Sequence, residues 1–196
     1  MRFKLYFVAS LLIICLINNN SLAQDTAIYE VKTNLFSLGK MQAIYKYDEA
    51  SNTKTYQLKS TFNLWSLYNV VYLLKSEFVN NVLVSTFAKI TANDKIKRYC
   101  VIEKTNNHYV RTTKEKIDTL KANSIKTGIT CLYFEKFKGS DSIFAELSGN
   151  FIAFKKVNER EFILGDKDIQ QFMFNNERVQ KITVPNAILD FYIVLQ

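Results

Sequence analysis

Histidine and cysteine, the residues most often used for metal and nucleophilic chemistry, are scarce in this sequence. His108 is the only histidine among 196 residues, and it follows Asn106-Asn107 at a predicted turn. A histidine-based metal centre needs more such side chains, and Cys100 and Cys131 lack the close pairing of a zinc knuckle. No serine lies in a Gly-x-Ser-x-Gly elbow, which a Ser–His–Asp triad of that type requires. We therefore predict no metal ion and no cofactor, and a surface position for His108.

Carboxylate pairs are the next candidates, because two of them can cleave a glycosidic bond by acid–base chemistry. The acidic residues are scattered, and no spacing singles out a pair. The five glycines are also too dispersed to build a phosphate-binding loop, which disfavours nucleotide chemistry. A glycan-acting hydrolase stays an alternative, with these candidates: Glu77, Glu103, Glu135, Glu146, Glu159 and Glu161.

Aromatic side chains are the remaining sign of a site. One group surrounds Ser66-Leu67 and another lies near the middle of the chain. The rings either pack the core of a curved sheet or line an apolar cavity that takes an acyl chain or another hydrophobic ligand. The candidate ligand-binding residues are Phe62, Trp65, Tyr68, Tyr72, Tyr133 and Phe137.

The chain is basic, with a formal net charge of +8 at pH 7. Such a charge indicates either a solvated surface that aids solubility or attraction to anionic lipid headgroups and acidic glycans of the envelope. Nucleic acid is not an expected partner, because the sequence has no recognised binding motif. Two basic clusters would suit a cavity mouth or wet strand ends: Lys95, Lys97 and Arg98, and Arg111, Lys114 and Lys116.

The two cysteines of the central region allow two interpretations. In an oxidising compartment, Cys100 and Cys131 could form one disulfide, which would add roughly 3 kcal/mol to the free energy of unfolding. Alternatively, both are buried thiols that behave as small apolar side chains. The sequence leaves these two interpretations equal.

Short polar breaks divide the sequence into segments of about a dozen residues. Asn and Asp tolerate left-handed backbone angles, so these breaks are typical of hairpin turns. Regular short spacing with β-branched and aromatic residues in between predicts an all-β antiparallel meander. The breaks lie at residues 48–52, 80–81, 93–94, 106–107, 139–141, 165–167 and 175–176.

Alternation within the segments predicts how the sheet is covered. In residues 53–65, Tyr56, Leu58 and Phe62 fall on one face and polar residues on the other. Residues 70–74 are apolar throughout, so both faces of that strand should be covered. A strongly curved sheet or a nearly closed barrel fits both patterns better than one flat sheet.

Residues 124–137 are the exception to the strand pattern. Ile125, Ile129 and Leu132 fall within one helical arc, and Asn123 or Ser124 could cap a helix. Ile129, Cys131 and Tyr133 also alternate, so a strand is the competing interpretation. We favour a short helix that covers one mouth of the sheet.

The N-terminus has the layout of a secretory signal peptide. Arg2 and Lys4 precede an apolar run over residues 5–17, and Ser21-Leu22-Ala23 forms a cleavage motif. The run is too short to span a bilayer, which needs about 20 residues. We therefore predict a signal peptide over residues 1–23, cleaved after Ala23, and one β-rich domain over residues 24–196 that is periplasmic or secreted and does not span the membrane.

A membrane-embedded barrel is disfavoured for a separate reason. Lys97 and Arg98 would point to opposite faces of one strand, so one of them would face lipid. That placement costs roughly 2–4 kcal/mol near the midplane.

Several short motifs resemble a family of small secreted Bacteroidota proteins classed as a domain of unknown function. The resemblance extends over most of the chain and implies an exported, β-rich domain without an established activity. A looser similarity in layout links it to periplasmic lipid carriers with a half-barrel sheet. The motifs are Ile28-Tyr29-Glu30-Val31, Leu38-Gly39-Lys40, Leu132-Tyr133-Phe134, Phe144-Ala145-Glu146, Gly149-Asn150-Phe151 and Asn176-Glu177-Arg178.

The sequence thus predicts a non-catalytic envelope protein built on a single curved antiparallel sheet. The favoured function is a binding module for a hydrophobic or amphipathic ligand, such as a lipid. The alternatives are an envelope scaffolding protein without a small-molecule site and a glycan-acting hydrolase.

Overall fold

The computed structural model describes residues 22–64, 68–138, 141–166, 169–175, 178–185 and 190–196. Residues 1–21 lie outside this part, so the predicted signal peptide is almost wholly outside the described residues. Trp65 also lies outside them, as do parts of three predicted turns, at 139–140, 167 and 176.

Within the described residues, the protein is almost entirely β-structure. Fourteen strands form one sheet, and the only helix among these residues is a short 3₁₀ helix at Ile129–Tyr133. The strands are β1 (Leu22–Lys32), β2 (Ser37–Asp48), β3 (Thr53–Leu64), β4 (Tyr68–Val79), β5 (Val82–Ala92), β6 (Lys95–Thr105), β7 (His108–Thr113), β8 (Ile117–Leu120), β9 (Ser142–Ala145), β10 (Asn150–Lys156), β11 (Glu161–Leu164), β12 (Gln170–Asn175), β13 (Arg178–Val184) and β14 (Phe191–Leu195).

The strand order shows two antiparallel meanders joined at their ends. It runs β8-β7-β6-β5-β4-β3-β2-β1-β14-β13-β12-β11-β10-β9, so the first and last strands pair in the middle of the sheet. Tyr29 lies opposite Leu195, and Lys32 lies opposite Tyr192. The prediction of a curved antiparallel meander or a nearly closed barrel is confirmed, and the sheet is not closed.

The hairpin turns form where the asparagine pairs predicted them. Asn80 and Asn81 have φ angles of 51° and 61°, and Asn93 and Asp94 have φ angles of 48° and 62°. Two successive residues with positive φ make the two-residue turn that matches the right-handed twist of the strands on either side. These side chains therefore set the register of the β4–β5 and β5–β6 hairpins.

One arginine links the two edges of the unclosed sheet. Arg111 on β7 donates from Nη1 to the carbonyl oxygen of Gly149 at 3.1 Å and to Oδ1 of Asn150 at 2.7 Å. Its Nε donates to Oδ1 of Asp118 on β8 at 2.7 Å. The β7–β8 edge is thus held against the β9–β10 turn, so the curved sheet is nearly closed.

The segment between β8 and β9 runs inside the curve, and here the helix prediction was wrong in type and capping. The helix is a single 3₁₀ turn that starts after extended Gly128, without a side-chain cap from Asn123 or Ser124. Thr130, Cys131, Leu132 and Tyr133 are all buried. The prediction assumed a helix with one buried face and one solvent-exposed face. This segment is enclosed on several sides, so the spacing of its apolar residues does not indicate an amphipathic helix.

Large rings fill the space around this segment. The hydroxyl group of Tyr29 donates to the carbonyl oxygen of Val179 at 2.9 Å, and its ring lies edge-on to Tyr133 at 5.3 Å. The Tyr109 hydroxyl group donates to the carbonyl oxygen of Leu83 at 3.0 Å. The interior is therefore packed with side chains, the largest of them being Tyr29, Tyr56, Tyr109, Phe78, Phe144, Phe154 and Phe172.

Candidate functional site

A pocket opens where the interior segment leaves the sheet, beside the turn between β10 and β11. Its volume is about 270 Å³. It combines a floor of three phenylalanines with a rim of charged side chains. The lining residues are Lys136, Phe137, Lys138, Asp141, Phe154, Lys156, Glu159 and Phe162.

Strand alternation explains why lysine and phenylalanine meet there. Side chains of a strand point alternately to its two faces, so Phe154 and Lys156 of β10 share the inner face. Phe154 is buried in the core, whereas Lys156, at the last position of β10, is exposed. On β11, Phe162 lies opposite Lys156. The inner face of the sheet therefore changes from apolar to cationic within two residues at this mouth.

The floor of the pocket is the outer end of an aromatic column. The ring of Phe137 lies edge-on to the rings of Phe154 and Phe162, with distances between ring centroids of 4.8 and 6.0 Å. Phe154 and Phe162 stack in parallel at 5.1 Å. Phe172 contacts Phe154 at 5.5 Å, and Phe174 contacts Phe162 at 5.3 Å. Phe137 covers this column, and only 9% of its surface is exposed.

The rim carries charges of both signs, with three lysines beside Asp141 and Glu159. Lys156 donates from Nζ to Oε1 of Glu159 at 2.6 Å. This hydrogen bond is the main reason why the pKa of Glu159 lies below its usual value. A general acid needs the opposite shift. Lys136 and Lys138 add two further cations to the rim.

Glu146 is the buried member of the six candidate carboxylates, and it anchors the interior segment. It accepts hydrogen bonds from Oγ1 of Thr130 at 2.7 Å and from the backbone N–H groups of Ile129 and Thr130 at 3.0 and 3.1 Å. The Ser76 hydroxyl group lies 3.4 Å away. Burial raises the pKa of Glu146. Enclosure of this carboxyl group indicates a structural role.

A second acidic residue ties the end of the 3₁₀ segment to β3. Glu135 accepts a hydrogen bond from Nζ of Lys54 at 3.1 Å and a short one from the hydroxyl group of Tyr56. The ring of Phe134 lies 5.7 Å from that of Tyr45. This cluster holds the interior segment on the side opposite to the pocket strands.

The six predicted ligand-binding aromatics do not form one cluster. Phe137 lines the pocket, Tyr133 is buried deeper, and Phe62 and Tyr72 are partly buried against the core. Tyr68 is 53% exposed at the start of β4. Trp65 lies outside the described residues.

The sequence analysis named Phe137, which lines this pocket, but it did not name the other four phenylalanines of the column or the lysines of the rim. A signal for two of these phenylalanines was present, because Phe172 and Phe174 are spaced two residues apart in one strand.

Cys100 and Cys131 are both buried free thiols. The structure therefore does not join them, which corrects the disulfide interpretation and matches the alternative of two small apolar side chains. Cys100 lies on β6 near the Arg111 link, whereas Cys131 lies in the 3₁₀ helix. Burial raises the pKa of both thiols.

Two further observations concern the described residues as a whole. Their His, Cys, Asp and Glu side chains do not gather in groups of three that could hold a metal ion. In the same parts of the chain, no helix has the length and apolarity needed to cross a bilayer.

Comparison with known proteins gives a fold relative and a family. No curated protein matches the sequence. A solved structure, the beta-barrel-like protein of domain of unknown function DUF1849 from Brucella abortus, is similar with a TM-score of 0.53 and 11% sequence identity. The match covers 89% of this chain and 96% of that chain, and at this identity it shows the fold alone. Residues 29–196 match the family described as domain of unknown function DUF6134. The chain belongs to the family DUF6134.

Proposed function

We propose that this protein is a non-catalytic binding domain of the cell envelope, and that it binds an anionic amphipathic ligand in the pocket at Phe137. The observation that carries the proposal is the combination of a phenylalanine column with a lysine rim at one mouth of the sheet. A ligand with an acyl tail and an anionic head matches both parts.

The two parts of the pocket would contribute differently. Burial of each methylene group of a tail against the rings stabilises a complex by about 0.8 kcal/mol. Lysine stems can lie along apolar surface while the ammonium groups stay in water, so Lys136 and Lys138 can contact both tail and head. Affinity would therefore come from the tail and selectivity for anions from the rim.

The packed interior decides how deep the ligand can go. Phe154 and Phe162 are nearly fully buried beneath Phe137. A tail that enters further must displace Phe137, which lies in the irregular segment after the 3₁₀ helix rather than in a strand. We propose that the Phe137 side chain blocks access to the aromatic column until a ligand displaces it.

Export is part of the same proposal. Its support is the signal-peptide pattern of residues 1–23 and the sequence resemblance to secreted Bacteroidota proteins. Cleavage after Ala23 would remove the first two residues of β1. The remaining residues would still pair with β2, beginning with Gln24 opposite Lys46. A processed chain would therefore retain most of this ladder.

Dodecanoate is a suitable probe, with dodecanol as the uncharged comparison. Isothermal titration of the purified protein should show saturable binding of dodecanoate and weaker binding of dodecanol. The double variant Lys136→Glu/Lys138→Glu should lose about tenfold or more in affinity for dodecanoate, because each rim charge then repels the headgroup. The matched control is Lys59→Glu/Lys75→Glu, two exposed lysines on β3 and β4.

Equal affinity of both double variants would contradict the proposal. So would the absence of dodecanoate binding to the wild-type protein.

The two alternative functions have less support. A glycan-acting hydrolase would need a general acid, and Lys156 lowers the pKa of Glu159 in the pocket. A scaffold that adds a strand from a partner would need a free edge, and the edge strands β8 and β9 have four residues each. Arg111 also holds these two edges together.

A further inference from the structure

Most of the exposed large apolar side chains lie at one end of the sheet, away from the pocket. Eleven such side chains occur among the described residues. Ile28, Phe87 and Met173 lie in the interior of β1, β5 and β12, and Val157 lies in a turn at the pocket end. The other seven form what we call the apolar rim: Leu35, Phe36, Tyr68, Ile96, Ile117, Phe151 and Ile169.

The strand register places these residues at the same end. In an antiparallel meander, every second turn lies at the same end of the sheet. The turns β1–β2, β3–β4, β5–β6 and β7–β8 therefore share one end. Lys32, at the end of β1, pairs with Tyr192, near the start of β14, so the β13–β14 turn lies at the same end. The β11–β12 and β9–β10 turns follow by the same alternation. Each rim residue lies in one of these turns or is the first or second residue of the strand that follows it.

The opposite end is different in composition. It carries the turns at residues 49–52, 80–81, 106–107 and 157–160, and Val157 is the exposed large apolar residue of these turns. The pocket at Phe137 and Lys156 also opens there. The rim is thus a property of one end and not of strand turns in general.

The β1–β2 turn presents its apolar side chains on a fixed backbone. Oγ1 of Thr33 accepts hydrogen bonds from the N–H groups of Leu35 at 3.1 Å and Phe36 at 3.2 Å. The N–H group of Thr33 donates to the carbonyl oxygen of Phe36 at 2.9 Å. Leu35 is nevertheless 78% exposed. The backbone of this turn therefore holds an apolar side chain toward solvent, at the edge of a surface pocket that Phe36 and Tyr192 also line.

Basic side chains flank the apolar ones on the neighbouring hairpins. Ile96 lies between Lys95 and Lys97 on β6, and all three are exposed. Ile117, which is 72% exposed, follows the exposed Lys116 at the start of β8. Because β6, β7 and β8 are adjacent, Lys114 and Lys116 lie in the same part of the rim as Lys95 and Lys97, whereas Arg111 of the second predicted cluster is buried in its link to the β9–β10 turn.

We propose that the apolar rim docks the domain on an anionic lipid surface. Lysines beside the turns would contact lipid phosphates, while Leu35, Ile96 and Ile117 would enter the boundary between headgroups and acyl chains. The seven side chains come from several separate turns around an open ring. This arrangement fits a flat, deformable surface better than a protein partner, which needs a continuous and complementary patch.

Vesicle co-sedimentation tests this proposal. The protein is purified from cells that export it, and its N-terminus is read by mass spectrometry, so that every variant carries the same chain. It should bind vesicles of phosphatidylcholine mixed equally with phosphatidylglycerol more tightly than vesicles of phosphatidylcholine alone. High salt should weaken this binding, since charges at a surface are screened.

Variants of the rim separate its two contributions. Lys95→Glu/Lys97→Glu should reduce binding to the anionic vesicles about twenty-fold or more. Leu35→Ser/Ile117→Ser should reduce it about tenfold or more. Val157→Ser and Lys59→Glu/Lys75→Glu are the matched controls and should bind as the wild-type protein does. Thermal unfolding of each variant checks that it is folded.

Three results would overturn the proposal: no vesicle binding by the wild-type protein, equal binding to both kinds of vesicle, or rim variants that bind as the controls do. Concentration-dependent self-association that the rim variants abolish, without vesicle binding, would assign the rim to a second copy of this chain. Dodecanoate titration of the rim variants keeps this test separate from the proposed pocket, because that pocket lies at the other end.

Discussion

Nη1 of Arg111 lies 3.1 Å from the carbonyl oxygen of Gly149, and this contact joins β7, the strand next to one edge of the sheet, to the β9–β10 turn at the other edge. Gly149 has a φ angle of +64°, and a Cβ atom there would lie 2.5 Å from Cδ of Arg111. The turn therefore depends on glycine both for its backbone angle and for the close approach of the arginine.

Loss of this link should weaken the whole sheet. Arg111→Leu removes charged hydrogen bonds to Asp118 and the contacts with the β9–β10 turn. Hydrogen bonds to charged groups contribute about 1.5–3 kcal/mol, so we expect the free energy of unfolding to fall by about 2–3 kcal/mol in urea denaturation. The control Arg98→Leu, at an exposed position on β6, should change it by less than about 0.5 kcal/mol. Similar values for the two variants would contradict the role of Arg111.

Gly128 should be intolerant of any side chain. A Cβ atom at Gly128 would lie 2.2 Å from Oε1 of Glu146. That carboxylate cannot move away without losing its hydrogen bonds from Ile129 and Thr130. We therefore expect Gly128→Ala to lower the free energy of unfolding by about 1–3 kcal/mol, measured by chemical denaturation. Wild-type stability of this variant would show that the carboxylate is not held as described.

Glu146 should make stability depend on pH. Its pKa in the folded protein is raised above the usual value of 4.5. A folded state with the higher pKa binds the proton more tightly than the unfolded state, so stability is greatest below the unfolded pKa and falls as the pH rises through the folded pKa. The wild-type protein should therefore lose stability relative to Glu146→Gln as the pH rises from the usual carboxyl pKa of 4.5 through the raised pKa of Glu146.

Denaturation of both proteins across this pH range measures the difference directly. The absolute stability of Glu146→Gln is not the test. The amide NH₂ group of the glutamine can face the N–H donors of Ile129 and Thr130, and this lowers stability at every pH. A difference that stays constant with pH would show that the carboxyl group does not titrate in this range.

The two cysteines should behave as protected thiols. Both are buried, and burial raises the pKa of each, so the reactive thiolate is scarce. We expect a thiol-specific reagent to leave Cys100 and Cys131 unmodified in the native protein and to modify both after unfolding without a reductant. Peptide mass spectrometry identifies the modified positions. Recovery of a peptide pair linked through these cysteines would contradict this prediction.

Local features of the fold could be predicted from the sequence, because they depend on neighbouring residues. Asn80-Asn81 and Asn93-Asp94 favour left-handed angles wherever they occur, so they predicted hairpins that the structure contains. Alternation in β3 likewise predicted a strand with one buried face. Pairing of Tyr29 with Leu195 joins distant parts of the chain and depends on the curvature of the whole sheet, for which no short pattern gives a signal.

The candidate site was less predictable for the same reason. Local aromatic density singled out Phe137, but its ring contacts Phe154 and Phe162 come from β10 and β11, and Phe172, which contacts Phe154, comes from β12. The 3₁₀ helix was predicted as a longer helix because apolar residues recur at helical spacing. In the structure their burial comes from enclosure by the sheet.

The central claim is that an anionic amphiphile binds at the mouth beside Phe137. Photo-crosslinking with a dodecanoate that carries a diazirine near its tail end tests this claim most directly, with the modified peptides identified by mass spectrometry. The account predicts adducts concentrated in residues 136–138 and 154–162, with competition by unlabelled dodecanoate. Adducts spread over the outer face of the sheet, or adducts that excess dodecanoate does not reduce, would contradict it.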